Sequence, residues 1–132
     1  MAEAEQLLAV DIEPGYDQIR MSAVRVGATE PEDWPDWADE DGAVSGTGTI
    51  LVATWSDNNG PVAVTVYRGR PALEGWTHIH TARLIVEADG LEVGMTVSAV
   101  EHPIPATPGP TDVEIWVRPA REPNAVAFIL EP

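Results

Sequence analysis

Residues 49–67 read TILVATWSDNNGPVAVTVY and give the clearest secondary-structure signal in the chain. Both flanks of this run are rich in β-branched and aromatic side chains, which favour pleated strands. The central SDNNGP favours a tight turn, because asparagine and glycine tolerate left-handed backbone and proline fixes φ. The run therefore predicts two strands, residues 49–55 and 62–67, joined as an antiparallel hairpin.

Period-two alternation of apolar residues extends this pattern along the chain. Six further strands are predicted at residues 6–12, 18–26, 76–86, 91–97, 112–117 and 125–130. The turn Ala88-Asp89-Gly90 predicts a second hairpin between the third and fourth of these runs, residues 76–86 and 91–97. Residues 125–130 are apolar on both faces, which indicates a central strand. Four prolines in residues 102–110 predict an extended, irregular connection.

The expected fold class is thus an all-β, antiparallel β-sandwich, jelly-roll-like and built from about eight strands, with a flattened barrel as the alternative. Its 132 residues fit a single domain, residues 1–132. No segment carries a convincing helical period. A parallel sheet is not expected, because no connection contains a crossover helix.

The composition excludes several functions. The net charge is −15, with seven arginines and no lysine, so the usual electrostatic mode of nucleic-acid binding is not expected and basic partners are favoured. The absence of cysteine excludes disulfides and thiol chemistry. The first residues lack the pattern of a signal peptide, and no apolar run is long enough to cross a membrane. A cytoplasmic location is expected.

The acidic segment, residues 30–42, reads EPEDWPDWADEDG and holds seven of the 22 carboxylates beside Trp34 and Trp37. Its prolines favour an exposed connection. Aromatic side chains within an acidic rim are typical of a protein contact site, although both indoles could instead cap the core. The predicted partner-binding residues are Asp33, Trp34, Asp36, Trp37, Asp39, Glu40 and Asp41.

Other chemistry is less well supported by the sequence. His78 and His80 stand two residues apart in a strand and could share a face and a metal ion, but the glutamate and further histidine of a cupin motif are missing. A glycosidase would need two carboxylates in one cleft, and Glu114 with Glu87 or Glu92 is the pair that strands could supply. No nucleophile elbow or phosphate-binding loop occurs. We therefore expect no enzyme activity, no cofactor and no metal.

The five tryptophans indicate an alternative function, that of a carbohydrate-binding module. In such a module, indoles stack on sugar rings. Trp34, Trp37 and Trp76 are in or beside predicted loops and could form the platform. Trp55 and Trp116 lie in predicted strands, where packing against the sheet is the simpler interpretation.

Several stretches together resemble the competence protein J family. They are Gly15-Tyr16-Asp17-Gln18, Asp33-Trp34-Pro35-Asp36, Asp41-Gly42-Ala43-Val44-Ser45 and Ile115-Trp116-Val117-Arg118-Pro119-Ala120. Members of this family are small acidic bacterial proteins that inhibit a nuclease of DNA uptake and are not enzymes. The resemblance implies a β-sandwich inhibitor whose acidic segment lies near its partner. Ile19 and Gly46 stand where aromatic residues would be expected, so a related immunity or antitoxin role stays open.

Overall fold

The computed structural model describes residues 4–13, 18–23, 42–45, 48–55, 59–86, 90–95 and 102–131. These residues form ten strands and, within those ranges, no α-helix. The strands are β1 Glu5–Ile12, β2 Gln18–Ala23, β3 Ala43–Ser45, β4 Thr49–Ala53, β5 Val62–Arg68, β6 Thr77–Val86, β7 Leu91–Met95, β8 His102–Ile104, β9 Gly109–Arg118 and β10 Ala125–Leu130. All eight predicted strands are present.

The ten strands form two five-stranded sheets that enclose one core. Sheet A has the order β1-β5-β10-β9-β6, and sheet B has the order β3-β4-β2-β7-β8. Alternate residues of each strand point between the sheets, so Ile19 and Met21 of β2 face Val64 and Phe128 of sheet A, all fully buried. Burying each such side chain stabilises the fold by about 1.5–3 kcal/mol. The predicted all-β sandwich is confirmed.

Strand β10 is the centre of sheet A, as its composition predicted. All six of its residues are buried. It pairs antiparallel with β9 but parallel with β5, with Ala125 opposite Ala63 and Leu130 opposite Arg68. The sheets are antiparallel-rich, as predicted, and β5 with β10 is a parallel pair within sheet A. The chain between β5 and β10 builds β6 to β9, so the crossover needs no helix.

Both predicted hairpins are wrong. Strand β4 belongs to sheet B and β5 to sheet A, and β6 and β7 are separated in the same way. Turn residues specify that the chain reverses, but not whether it returns beside itself or crosses to the facing sheet. Here the two ends of the β4–β5 connection bond to the β9–β10 connection, which is distant in sequence: Trp55 N donates to Pro123 O at 3.0 Å, and Ala63 N, at the start of β5, donates to Asn124 O at 2.9 Å.

Two short strands, β3 and β8, were not predicted. Strand β8 lies at the edge of sheet B within the proline-rich stretch, which was expected to be irregular. Pro103 has no N–H to donate, and an edge position tolerates that loss. Strand β9 begins at Gly109, so the irregular part of this stretch is limited to residues 105–108.

The connection between β5 and β6, residues 69–76, crosses the outer face of sheet A, and we call it the strap. Strands β5 and β6 run in the same direction with β10 and β9 between them, so the strap passes over both. Ala125, Ala127 and Ile129 point away from the core and are nevertheless at most 6% exposed. Their small or compact side chains let the strap approach the sheet closely.

Candidate partner-binding surface

The structure brings one set of strand ends together beside a cleft, and we call this the cleft end of the sandwich. Strands β1, β4, β7 and β9 end here, and β2, β3, β5, β6, β8 and β10 begin here. The predicted binding residues Asp33, Trp34, Asp36, Trp37, Asp39, Glu40 and Asp41 lie outside the described residues. The described chain stops at Ala23, at the far end of β2, and resumes at Gly42, at the cleft end.

Gly42 fixes the point at which the acidic segment rejoins the sheet. Its φ of 84° lies in the left-handed region, which glycine adopts readily. Its carbonyl accepts a hydrogen bond from Ala53 N at 2.8 Å. A Cβ atom at this position would stand 3.4 Å from Ile79 Cδ1. The backbone immediately after Asp41 is therefore held against β4 and β6.

The cleft has a volume of about 430 Å³ and lies between the ends of the two sheets. Its lining is mostly apolar and small, with one carboxylate. The lining residues are Gly42, Ala53, Thr54, Ile79, Val117, Ala120, Glu122 and Pro123. Sequence reasoning missed this cleft, because its two walls come from strands that are far apart along the chain.

Glu122 contributes that carboxylate from the β9–β10 connection. Its φ is 47°, and within the described residues it is the only non-glycine residue with positive φ. A residue before proline is normally extended, so this conformation opposes the local preference set by Pro123. The connection is nonetheless well fixed, because Asn124 N donates to Arg118 O at 3.2 Å and Trp55 N donates to Pro123 O. Glu122 itself is exposed and forms no hydrogen bond or ion pair in the described part of the chain.

Negative charge is unevenly distributed along the chain. The described residues hold nine of the 22 acidic residues and six of the seven arginines, a net charge of −3 out of −15. The remainder belongs to connecting segments and the N-terminus. Four connections join strands at the cleft end, residues 13–17, 54–61, 96–101 and 119–124, and each contains at least one carboxylate: Glu13 and Asp17, Asp57, Glu101, and Glu122. Every connection at the cleft end is thus acidic, as is the β6–β7 connection at the far end, which contains Glu87 and Asp89.

His78 and His80 do not share a face. A bulge between them places His78 opposite Trp116 and His80 opposite Ile115. His78 bonds to Thr81 Oγ1 at 2.8 Å on the outer face, whereas His80 bonds to Ser45 Oγ at 2.9 Å, on sheet B. The shared-face arrangement is wrong, and among the described residues no group of three or more His, Asp or Glu could hold a metal ion.

Glu114 and Glu92 also fail to form a pair. Glu114 lies on β9 of sheet A, whereas Glu92 lies on β7 of sheet B, 3.7 Å from Arg20 Nη2. The other proposed partner, Glu87, lies outside the described residues. Burial raises the pKa of Glu114, but hydrogen bonds from Trp116 Nε1, at 2.9 Å, and from Arg70, together with nearby positive charge, outweigh this effect, so its pKa is lowered from 4.5. Glu114 is thus a strap-anchoring carboxylate that stays ionised, unlike a general acid.

The described tryptophans contact the protein's own side chains. Trp76 lies under the Arg118 guanidinium at 4.7 Å, and the Trp116 ring is 5.1 Å from His78. Trp55 packs against the core and donates to Gly60 O at 3.1 Å. These contacts are internal to the protein, as expected for tryptophans that pack against the sheet. Trp34 and Trp37 lie outside the described residues.

The fold and this surface define a class of protein: a small two-sheet β-sandwich with a nearly neutral framework and acidic connections. A search of solved structures finds the same fold in ComJ, inhibitor of the DNA degrading activity of NucA, from Bacillus subtilis. The TM-score is 0.70 and the sequence identity is 18%, over 98% of this chain and 97% of that one. The predicted resemblance to competence protein J is confirmed at the level of the fold.

No protein-family model matches the chain, and no curated protein matches its sequence. In the part of the chain that the structure describes, there is no helix of the length and apolarity needed to span a membrane.

Proposed function

We propose that this protein binds a nuclease and inhibits its DNA-degrading activity. The observation that carries the proposal is the likeness to ComJ, because it extends over nearly the whole of both chains and ComJ is an inhibitor of such an activity. In this proposal the chain acts as a single non-catalytic domain, without cofactor or metal, in the bacterial cytoplasm.

The charge distribution supports an electrostatic mode of inhibition. A nuclease presents positive charge to DNA phosphates, so a rigid protein with closely spaced carboxylates can compete with DNA for the same surface. Residues 24–41 hold seven carboxylates and one arginine, the highest density of negative charge in the chain. We assign the contact to Asp33, Asp36, Asp39, Glu40 and Asp41, with Trp34 and Trp37 as aromatic anchors.

A DNA-degradation assay tests the proposal. Increasing amounts of the protein are added to Bacillus subtilis NucA. In parallel, they are added to a nuclease that the immobilised protein captures from a lysate of the organism that encodes it. Stoichiometric loss of DNA cleavage by at least one of these nucleases is expected. Inhibition that is absent at a large molar excess for both nucleases would refute the proposal.

Paired variants test the assigned residues. Asp36→Asn with Asp39→Asn should slow association and weaken its salt dependence, because these carboxylates steer the encounter. The matched control, Glu5→Gln with Glu131→Gln, removes the same charge at the far end and should leave association nearly unchanged. Equal effects of the two pairs would mean that net charge alone, and not this segment, attracts the partner.

Replacing the tryptophans should change the dissociation rate, whereas replacing the carboxylates should change the association rate. Trp34→Ala and Trp37→Ala should speed dissociation, because an anchor side chain acts after encounter. Unchanged dissociation with a lowered melting temperature would instead place these indoles in the core.

A further inference from the structure

We propose that the cleft receives an arginine side chain of the partner, with Glu122 as its ionic contact. This inference rests on the proposed function, and it adds a second contact region, separate in sequence from the acidic segment. Gly42, which directly follows the acidic segment in the chain, also lines the cleft.

The chemistry of the lining matches an arginine. Ile79 and Pro123 offer apolar surface, Val117 is fully buried, and the glycine and alanines of the lining leave the space open. An arginine can bury its three-carbon stem along such walls while its guanidinium pairs with a carboxylate at the rim. The roughly 430 Å³ available is ample for one such side chain.

Glu122 is presented rigidly and without a partner in the described part of the chain. Its connection is held at Arg118, Trp55 and Ala63 by backbone hydrogen bonds of 2.9–3.2 Å. A strained backbone held in place by its surroundings is often retained at a binding site. Fixing the carboxylate in advance lowers the entropy lost on binding.

The charge of this end favours a basic occupant over an acidic one. Each of the four connections that meet here contains a carboxylate, and the acidic segment rejoins the sheet at the same end. Two arginines, Arg118 and Arg121, belong to this end as well. Arg118 lies over the Trp76 ring, 4.7 Å from its centroid, and Arg121 is exposed. Carboxylates therefore outnumber arginines at this end.

Two variants test the proposal with the inhibited nuclease. Glu122→Gln removes the charge, and Ala120→Phe fills the cleft from an exposed position. Each should weaken binding at least about tenfold, since charged hydrogen bonds and anchor side chains contribute on that scale. The controls Glu74→Gln and Ala9→Phe make the same changes at exposed positions away from the cleft and should leave affinity within about twofold.

A double-mutant cycle identifies the occupant. Exposed arginines of the nuclease are replaced one at a time by alanine, and each is combined with Glu122→Gln. One arginine should show non-additive loss of affinity, because both changes remove the same contact. Additive losses for every arginine would overturn the proposal. Tight binding by both cleft variants would also overturn it, yet would leave nuclease inhibition itself intact.

Discussion

Replacing Glu122 by glycine should stabilise the protein while weakening its proposed interaction. At φ 47° a residue with a Cβ atom costs about 1–2 kcal/mol relative to right-handed conformations. Glycine removes that cost, but its greater conformational entropy stabilises the unfolded chain by about 0.5–1 kcal/mol. Because Glu122 has no hydrogen bond or ion pair to lose within the described residues, the free energy of unfolding should rise by about 0.5–1 kcal/mol.

Thermal unfolding measures this change. For a chain of this length, 1 kcal/mol corresponds to a shift of about 3–5 °C in Tm, so Glu122→Gly should raise Tm by about 2–5 °C. Glu74→Gly is the matched control, because Glu74 is exposed and has no positive φ, and it should lower Tm by a similar amount. Equal decreases in both variants would show that Glu122 is not strained and would refute this reasoning.

Three further predictions concern stability and metal binding. Gly90 and Gly75 have nearly equal φ values, 81° and 83°, but a Cβ atom on Gly90 would lie 2.8 Å from a backbone carbonyl of β8, whereas Gly75 has no atom within 4 Å. Gly75→Ala should therefore cost about 1 kcal/mol and Gly90→Ala about 2–4 kcal/mol in chemical denaturation, and similar losses would contradict the close approach of β8. The pKa of Glu114 is lower in the folded protein than its ordinary value of 4.5, so the ionised carboxylate stabilises the fold at pH values above 4.5. This contribution is lost as the pH falls through the lower pKa of the folded state. Tm should therefore fall less between pH 7 and pH 3 in Glu114→Gln than in the wild type. Elemental analysis of protein purified without affinity-tag metals should find no stoichiometric metal, and metal that disappears on His78→Ala with His80→Ala would contradict this expectation.

The positions of the strands could be predicted from the sequence, but their partners could not. Period-two alternation depends on which face of a strand is buried, and that signal is local. Residues 125–130 were correctly placed at the centre of a sheet, because only a strand covered on both faces is apolar throughout. Sheet membership depends on contacts between distant residues. The turn at residues 54–61 has the composition of a hairpin and nevertheless carries the chain from sheet B to sheet A.

The histidine pair shows the same limit at the scale of one residue. Two strand residues at i and i+2 share a face only while the register is regular. One extra residue, inserted between His78 and His80, turns the second histidine toward Ser45. The sequence around the two histidines gave no indication of the bulge, which appears only in the pairing of β6 with β9.

The location of the negative charge is the feature that connects sequence, fold and proposed function. A net charge of −15 by itself indicates solubility as readily as binding. The distribution of charge separates these interpretations, because two framework arginines are paired: Arg83 of β6 donates to Asp112 at 2.8 Å and Arg70 of the strap bonds to Glu114, and the described residues together carry a net charge of only −3. A charge needed only for solubility could lie on any exposed face. Here the excess lies in the connections and the acidic segment, and Glu122, in the connection beside the cleft, is held in an unfavourable backbone conformation, which supports the proposed binding of a basic partner at this end.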